Sequence, residues 1–291
     1  MPTLCFRHPR SVPSRERVRR RSNLHAAIVH PFAGRSAFLL SPVTWLKPVA
    51  KGILRWIAPG IVYRYQLQRA ARSEPEISRL SKWCRRDALS IDVGANRGLY
   101  CYYMLRHSAA VLAFEPLPSM QEHLRTHLGR RIRLYPVALS DTDGQMEIRL
   151  PTGNPSWATI DPRNTLELAG DTPIEVITVP TRRLDGYGFA GVGFIKIDVE
   201  GHEEMVLRGA AETLRENRPA LLVEVEERHN AGSVGRITAL LAELGYEGFF
   251  LDDGRMRPIR DFDASRDQML GNVGVGGKIG RYVNNFFFRP S

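Results

Sequence analysis

Two acids and a glycine turn carry the first chemistry of this chain. Asp92-Val-Gly94-Ala-Asn96-Arg-Gly98 follows the apolar run from Leu89. A second apolar run, 110–114, ends in Glu115, 23 positions after Asp92. An acid about 20 residues beyond a glycine turn is how open α/β sheets hold the ribose of a nucleoside cofactor. The glycine spacing narrows the choice. A dinucleotide fingerprint would put glycines at positions 96 and 99, where this chain has Asn96 and Leu99. Side chains there obstruct the close backbone approach that a pyrophosphate requires. A nucleoside without phosphates, such as S-adenosylmethionine, fits the spacing, and a plain strand–turn–helix with glycines for geometry is the alternative.

The second dense stretch is Ile195-Lys196-Ile197-Asp198-Val199-Glu200-Gly201-His202-Glu203-Glu204. An apolar strand ends at Asp198, Gly201 turns the chain, and acids in the next first turn suit a helix dipole. Ligands in open α/β sheets bind outside the carboxyl ends of strands, so Asp198 and Glu200 share a rim with Asp92 and Glu115. For a group that moves a proton at this rim, His202, whose side-chain type titrates near neutrality, is the first candidate. Glu200 or Asp198 could orient it or act instead, and a helix-capping role is the bland alternative for His202. The two carboxylates beside a histidine would also suit a divalent ion, but no full ligand set is evident, so no metal is expected.

These residues need a frame to hold them. Strands are read at 89–93, 110–114, 132–138, 176–180, 193–198, 220–226, 246–251 and 282–288, with 145–150 as a short extra strand. Helices are read at 98–107, 117–128, 203–217 and 233–243. Such alternation predicts an α/β fold with a parallel sheet covered on both faces.

The motifs together resemble the FkbM family. They are Asp92-Val-Gly-Ala-Asn-x-Gly98, Phe114-Glu115-Pro116, Val137-Ala-Leu-Ser140-Asp141, Ile195–Glu203, Leu207-x-Gly209-Ala210 and the closing Tyr282-Val-Asn-Asn-Phe286. The resemblance covers about residues 85–290. It implies a class I methyltransferase with a Rossmann-like fold: a mostly parallel, doubly wound sheet with an antiparallel closing strand. It implies S-adenosylmethionine as cofactor and O-methylation of a sugar, glycolipid or polyketide-type hydroxyl. By the same resemblance Asp92, Gly94 and Asn96 hold the methionine part, Glu115 takes the ribose, and Gly98 belongs to the same cofactor-binding set. Ser140 and Asp141 lie near the adenine, and Asp198, Glu200 and His202 face the acceptor. The long connection 151–166 is expected to cover that acceptor, with Trp157 stacked on it or simply packed.

Charge and composition divide the chain further. The net charge of +10 is concentrated at one end: residues 1–72 hold 14 Lys/Arg against one acid, Glu16, and the remainder holds 27 basic and 30 acidic side chains. The body is therefore near neutral and lacks basic–aromatic interleaving, so no nucleic-acid partner is expected. Residues 1–35, rich in arginine, proline and serine, read as a disordered tail. Residues 36–84 read as a helical extension, and 85–291 as the methyltransferase domain. Lys47, Lys51 and Arg55 recur on one helix face within 43–57, flanked by Trp45 and Trp56. That pattern suits a helix lying on an anionic membrane or one packed on the domain. Three cysteines, Cys5, Cys84 and Cys101, match no metal or redox motif, which points to a reducing compartment. The expected location is cytoplasmic, with peripheral membrane contact through 43–57 as an option. A nicotinamide oxidoreductase, or a membrane- or RNA-binding module using the basic tail, are the competing readings.

Overall fold

The computed structural model describes residues 59–154, 157–166, 169–274 and 277–291. The expectations for 1–35 and 43–57 lie outside them. In chain order the elements are α1 (Pro59–Ala70), α2 (Leu80–Trp83), β1 (Leu89–Val93), α3 (Leu99–Met104), β2 (Ala110–Phe114), α4 (Pro118–His127), β3 (Arg133–Tyr135), β4 (Ala138–Leu139), β5 (Gly144–Pro151), β6 (Ile174–Arg182) and β7 (Val192–Ile197). They continue with α5 (Glu203–Arg208), α6 (Ala211–Asn217), β8 (Ala220–Glu224), α7 (Ser233–Glu243), β9 (Tyr246–Asp252), β10 (Arg255–Pro258), α8 (Ala264–Asp267), β11 (Val273–Gly274), β12 (Gly277–Lys278) and β13 (Asn285–Pro290).

The central sheet has the order β10-β9-β13-β8-β7-β1-β2-β3. β3, β2, β1, β7 and β8 run parallel, and β13 inserts antiparallel between β8 and β9. This is the mostly parallel, doubly wound sheet with an antiparallel closing strand that the resemblance implies. Phe286, Phe287 and Phe288 are consecutive and all buried, because a strand inside a sheet covered on both faces has no solvent side. Burying each ring is worth about 1.5–3 kcal/mol. β7 is buried along its whole length, and it carries Lys196 in its interior.

Three expectations are corrected. The stretch read as one strand over 132–138 divides into β3 and β4, which belong to different sheets. Pro136, between them, has no N–H to continue a ladder. The strand read at 176–180 does not extend the central sheet but, as β6, pairs with β4 on one side and with β5, the short extra strand read at 145–150, on the other, in a separate three-stranded sheet. The alternating exposure of β6 is that of a strand with one wet face. The helix read at 203–217 is broken at Gly209-Ala210. A Cβ at Gly209 would stand 1.9 Å from the carbonyl oxygen of Ser140, so this close approach of backbone to backbone admits only glycine. Asp185 then starts α6 afresh, accepting from the backbone N–H groups of Glu212 (3.0 Å) and Thr213 (2.8 Å).

Candidate active site

The tips of β1, β2 and β7 meet at one rim. Gly94 takes φ +78 and Asn96 φ +47, so the chain leaves β1 through a left-handed turn. A Cβ on Gly94 would lie 1.9 Å from the carbonyl oxygen of Asp198, which fixes glycine at this position by packing alone. Gly98 (φ +80) precedes α3, where a Cβ would stand within 3.0 Å of Leu124, Leu128 and Tyr63.

The amides of the turn are already engaged. Gly94 N and Ala95 N donate to Phe114 O at 3.0 and 3.1 Å. Asn96 N donates to Glu115 Oε2 at 2.7 Å. At the start of α3, Cys101 N donates to Asp92 Oδ2 at 2.9 Å. The groups that would cradle a pyrophosphate are thus turned inward onto the protein's own oxygens.

Two cavities open on this rim and share Gly94, Asn96 and Asp198. The first is a narrow cleft between Phe114, Leu117, Leu139 and Ile160, with Glu115 in its wall. Both Glu115 oxygens accept a backbone N–H, from Asn96 and from Leu117 (2.9 Å). Each oxygen keeps a second acceptor site, which suits a ribose diol. Burial pushes the Glu115 carboxyl up to about 7, against the pull of those two N–H groups. Burial likewise lifts Asp92, to about 6.

The second cavity, about 390 Å³, is lined by carboxylates and aromatic rings. Lys196 lies in its wall, fully buried, with Nζ 3.7 Å from Asp198 and 3.5 Å from Glu224 and 5.0 Å from the Tyr100 ring centroid. Burial opposes its charge, but the two carboxylates outweigh that and hold the ammonium up at about 12. Glu224 is pushed upward, first by burial and then by the nearby Asp198, and it accepts from Asn284 Nδ2 at 2.5 Å.

Glu200 and His202 turn to the first cleft. Glu200 takes φ +53, and its carbonyl is held by Thr159 Oγ1 (2.6 Å) and Asn164 Nδ2 (2.9 Å). Its carboxylate meets His229 Nε2 at 3.3 Å, and burial, with Asp198 next, pushes its carboxyl upward. Burial lowers His229 to about 4, so this imidazole is neutral near pH 7. His202 is buried, with Nε2 2.9 Å from Ser140 Oγ, and burial lowers its pKa. Ser140 also donates to Asp141 at 3.2 Å. The connection 151–166 brings Ala158 and Ile160 to the first cleft, while Trp157 stands in a small gap with Glu200, Arg228 and His229.

The expected residues Asp92, Gly94, Asn96, Glu115, Asp198, Glu200 and His202 therefore all line one or both cavities. Gly98, Ser140 and Asp141 support them from behind without lining either cavity. Sequence reading did not single out Lys196, Glu224, Glu74 or His229. Lys196 had a signal, a lone cation inside an apolar strand, and so did Glu224, an acid at a strand tip. Glu74 had none. Among the described residues no cluster of three or more His, Cys, Asp or Glu side chains is arranged to hold a metal ion. No described helix is long and apolar enough to cross a membrane.

The fit of a phosphate-free sulfonium nucleoside can be judged from Asn96. Its Oδ1 is buried at the junction of the cavities with no hydrogen-bond partner among the described residues. An orphaned acceptor beside Asp92 and Asp198 suits a donor with positive charge.

Residues 92–247 match the model of the methyltransferase FkbM domain. The chain is 32% identical over 151 residues to 2-O-methyltransferase NoeI of Sinorhizobium fredii, which is 45% of this chain and 61% of that protein. It is 26% identical over 203 residues to AMB antimetabolite synthetase AmbE of Pseudomonas aeruginosa, 56% of this chain and 10% of that one. It is 29% identical over 187 residues to 31-O-demethyl-FK506 methyltransferase FkbM of Streptomyces tacrolimicus, 53% and 71% of the respective lengths. The match thus spans under two thirds of the first of these relatives and a tenth of the second.

Proposed function

This chain belongs to the FkbM methyltransferase family, and from that premise we propose that it transfers the methyl group of S-adenosylmethionine to a hydroxyl of a sugar, glycolipid or polyketide-type small molecule. The family implies that cofactor. The observation that carries the reading is the pair of cavities meeting over Gly94, Asn96 and Asp198, with the turn amides closed to phosphate.

In this reading Glu115 receives the ribose hydroxyls in the first cleft, and Leu117, Leu139 and Ile160 pack the base. Ser140 and His202 brace the far wall of that cleft. Asn96 Oδ1 accepts from the ammonium of the methionine part, and the carboxylate of Asp92 offsets its positive charge. When bound, the cofactor supplies a methyl group on a positively charged sulfur, already activated toward an oxygen nucleophile.

The chain's own task is alignment and proton removal. Asp198 belongs to both cavities, so we assign the proton-accepting role to it rather than to His202. Its carboxylate takes the proton of the acceptor hydroxyl as the new O–C bond forms. Lys196, held between Asp198 and Glu224, fixes where that carboxylate stands. A nicotinamide cofactor is disfavoured, since its pyrophosphate would find Gly94 N, Ala95 N and Asn96 N already bonded.

The test is a comparison of thermal shift with S-adenosylhomocysteine and with NADH, followed by transfer of label from [methyl-14C]S-adenosylmethionine to a bacterial extract. Stabilisation by the first ligand alone, with labelled product, supports the reading. Stabilisation by NADH and no label transfer would refute it.

A further inference from the structure

The helix α1 has two faces. Tyr63, Gln66, Leu67 and Ala70 recur at helical spacing and line the second cavity. Tyr63 and Leu67 are buried, and the Tyr63 hydroxyl donates to Arg97 O at 2.8 Å, just past the tip of β1. That bond holds α1 at the carboxyl edge of the sheet.

The opposite face carries Ile61, Arg64, Tyr65, Gln68 and Arg69, all exposed, and exposed Arg72 follows them. Ile61 and Tyr65, four apart and therefore neighbours, are each 65 % exposed. No acid lies between Pro59 and Ser73, and residues 1–58 hold eleven Lys/Arg against Glu16 alone. A second pair of apolar side chains, Met269 and Leu270, is exposed at the same edge. The adjoining Gln268 places them there, its Nε2 donating to Val225 O (2.7 Å) beyond β8 and to Val283 O (2.8 Å) ahead of β13.

Apolar groups set among cations match a bilayer of anionic lipid. The headgroups meet the arginines while Ile61 and Tyr65 enter the acyl boundary. A nucleic acid would use the arginines and leave Ile61 without a partner.

We propose that the outer face of α1 rests on an anionic lipid bilayer, which brings the second cavity to the hydroxyls of a glycolipid. The lipid contact is independent of the methyltransferase reading above, and the choice of a glycolipid as acceptor rests on that reading.

The experiment floats the full chain with vesicles of phosphatidylcholine alone and of equal parts phosphatidylcholine and phosphatidylglycerol. Binding to the anionic vesicles is expected to be tighter by about tenfold or more. Ile61→Ser combined with Tyr65→Ser is expected to weaken that binding about tenfold or more, with the thermal shift by S-adenosylhomocysteine unchanged. Arg64→Glu combined with Arg69→Glu is expected to weaken it by a similar factor. Full binding by the serine variant would overturn the inference, because the basic residues before α1 would then suffice. So would equal binding to the two kinds of vesicle, or tighter binding to a DNA duplex that the serine changes leave intact. With [methyl-14C]S-adenosylmethionine and a bacterial membrane extract, labelled product is expected in the chloroform–methanol phase. Label confined to water-soluble product would overturn the glycolipid assignment. Absence of both label and S-adenosylhomocysteine binding would instead overturn the methyltransferase reading, and the vesicle assay would still decide the lipid contact.

Discussion

The carbonyl oxygen of Asp198 occupies the space beside Gly94 that any side chain would need, only 1.9 Å from the position of a Cβ. The glycine of the first motif thus serves the acid of the second. Gly94→Ala must push back the tip of β7 and hold alanine at φ +78. A loss of at least ~2 kcal/mol in stability is expected, with weaker binding of S-adenosylhomocysteine. Chemical denaturation and calorimetry check both, and an alanine variant of wild-type stability would contradict the packing argument.

Asp198 and His202 separate in their expected effects. Asp198→Asn should lower kcat by roughly 10²–10⁴-fold with S-adenosylhomocysteine affinity nearly retained. His202→Ala removes the partner of Ser140 in the first cleft. It should raise KM for S-adenosylmethionine more than it lowers kcat. Steady-state kinetics with both substrates varied distinguishes these outcomes, and the reverse pattern would return the proton-accepting role to His202.

Lys196 compensates two carboxylates in a buried position. Lys196→Met leaves them unpaired, at a cost of about 3–5 kcal/mol near neutral pH. Because the remaining acids can take up protons, the deficit should shrink as pH falls. Denaturation midpoints at pH 8 and pH 5 would reveal it, and a deficit independent of pH would argue against an electrostatic role.

Glu115 links the site to pH. Its carboxyl rises from 4.5 to about 7 on folding, so its contribution is fully present below pH 4.5 and is lost as pH climbs through 7. Asp92, raised from 3.8 to about 6, acts in the same direction. Glu115→Gln removes the first share, roughly 3 kcal/mol at most. The melting temperature of Glu115→Gln relative to the parent should therefore rise between pH 5 and pH 8 in the absence of cofactor. A constant difference would show that the buried carboxyl is not a source of instability.

Asp185→Ala should cost about 1–2 kcal/mol, by uncapping α6, and leave both KM values unchanged. It serves as a control for destabilisation remote from the cavities.

Much of the site could be read in the sequence because it lies at strand tips. Asp92, Glu115, Asp198 and Glu224 each close a run of apolar residues, and a parallel sheet brings such tips to one edge. That β3, β2, β1, β7 and β8 run parallel followed from the same alternation, while the antiparallel closing strand was implied by the family resemblance. The small sheet β4-β6-β5 was not legible, since nothing local states with which neighbour a strand will pair.

The one-dimensional pattern alone determined the sheet, the glycine turn and the acids of the rim, because period and spacing are properties of the chain itself. Tertiary structure decided which cavity each of those acids faces. Past β7 the chain runs through Glu200 at φ +53 and Gly201 at φ +108, and there alternation no longer tells where a side chain points. His202 is turned toward Ser140, while Glu74, 124 positions before Asp198, joins it at the second cavity. Such a meeting depends on packing between distant segments, which no local spacing records.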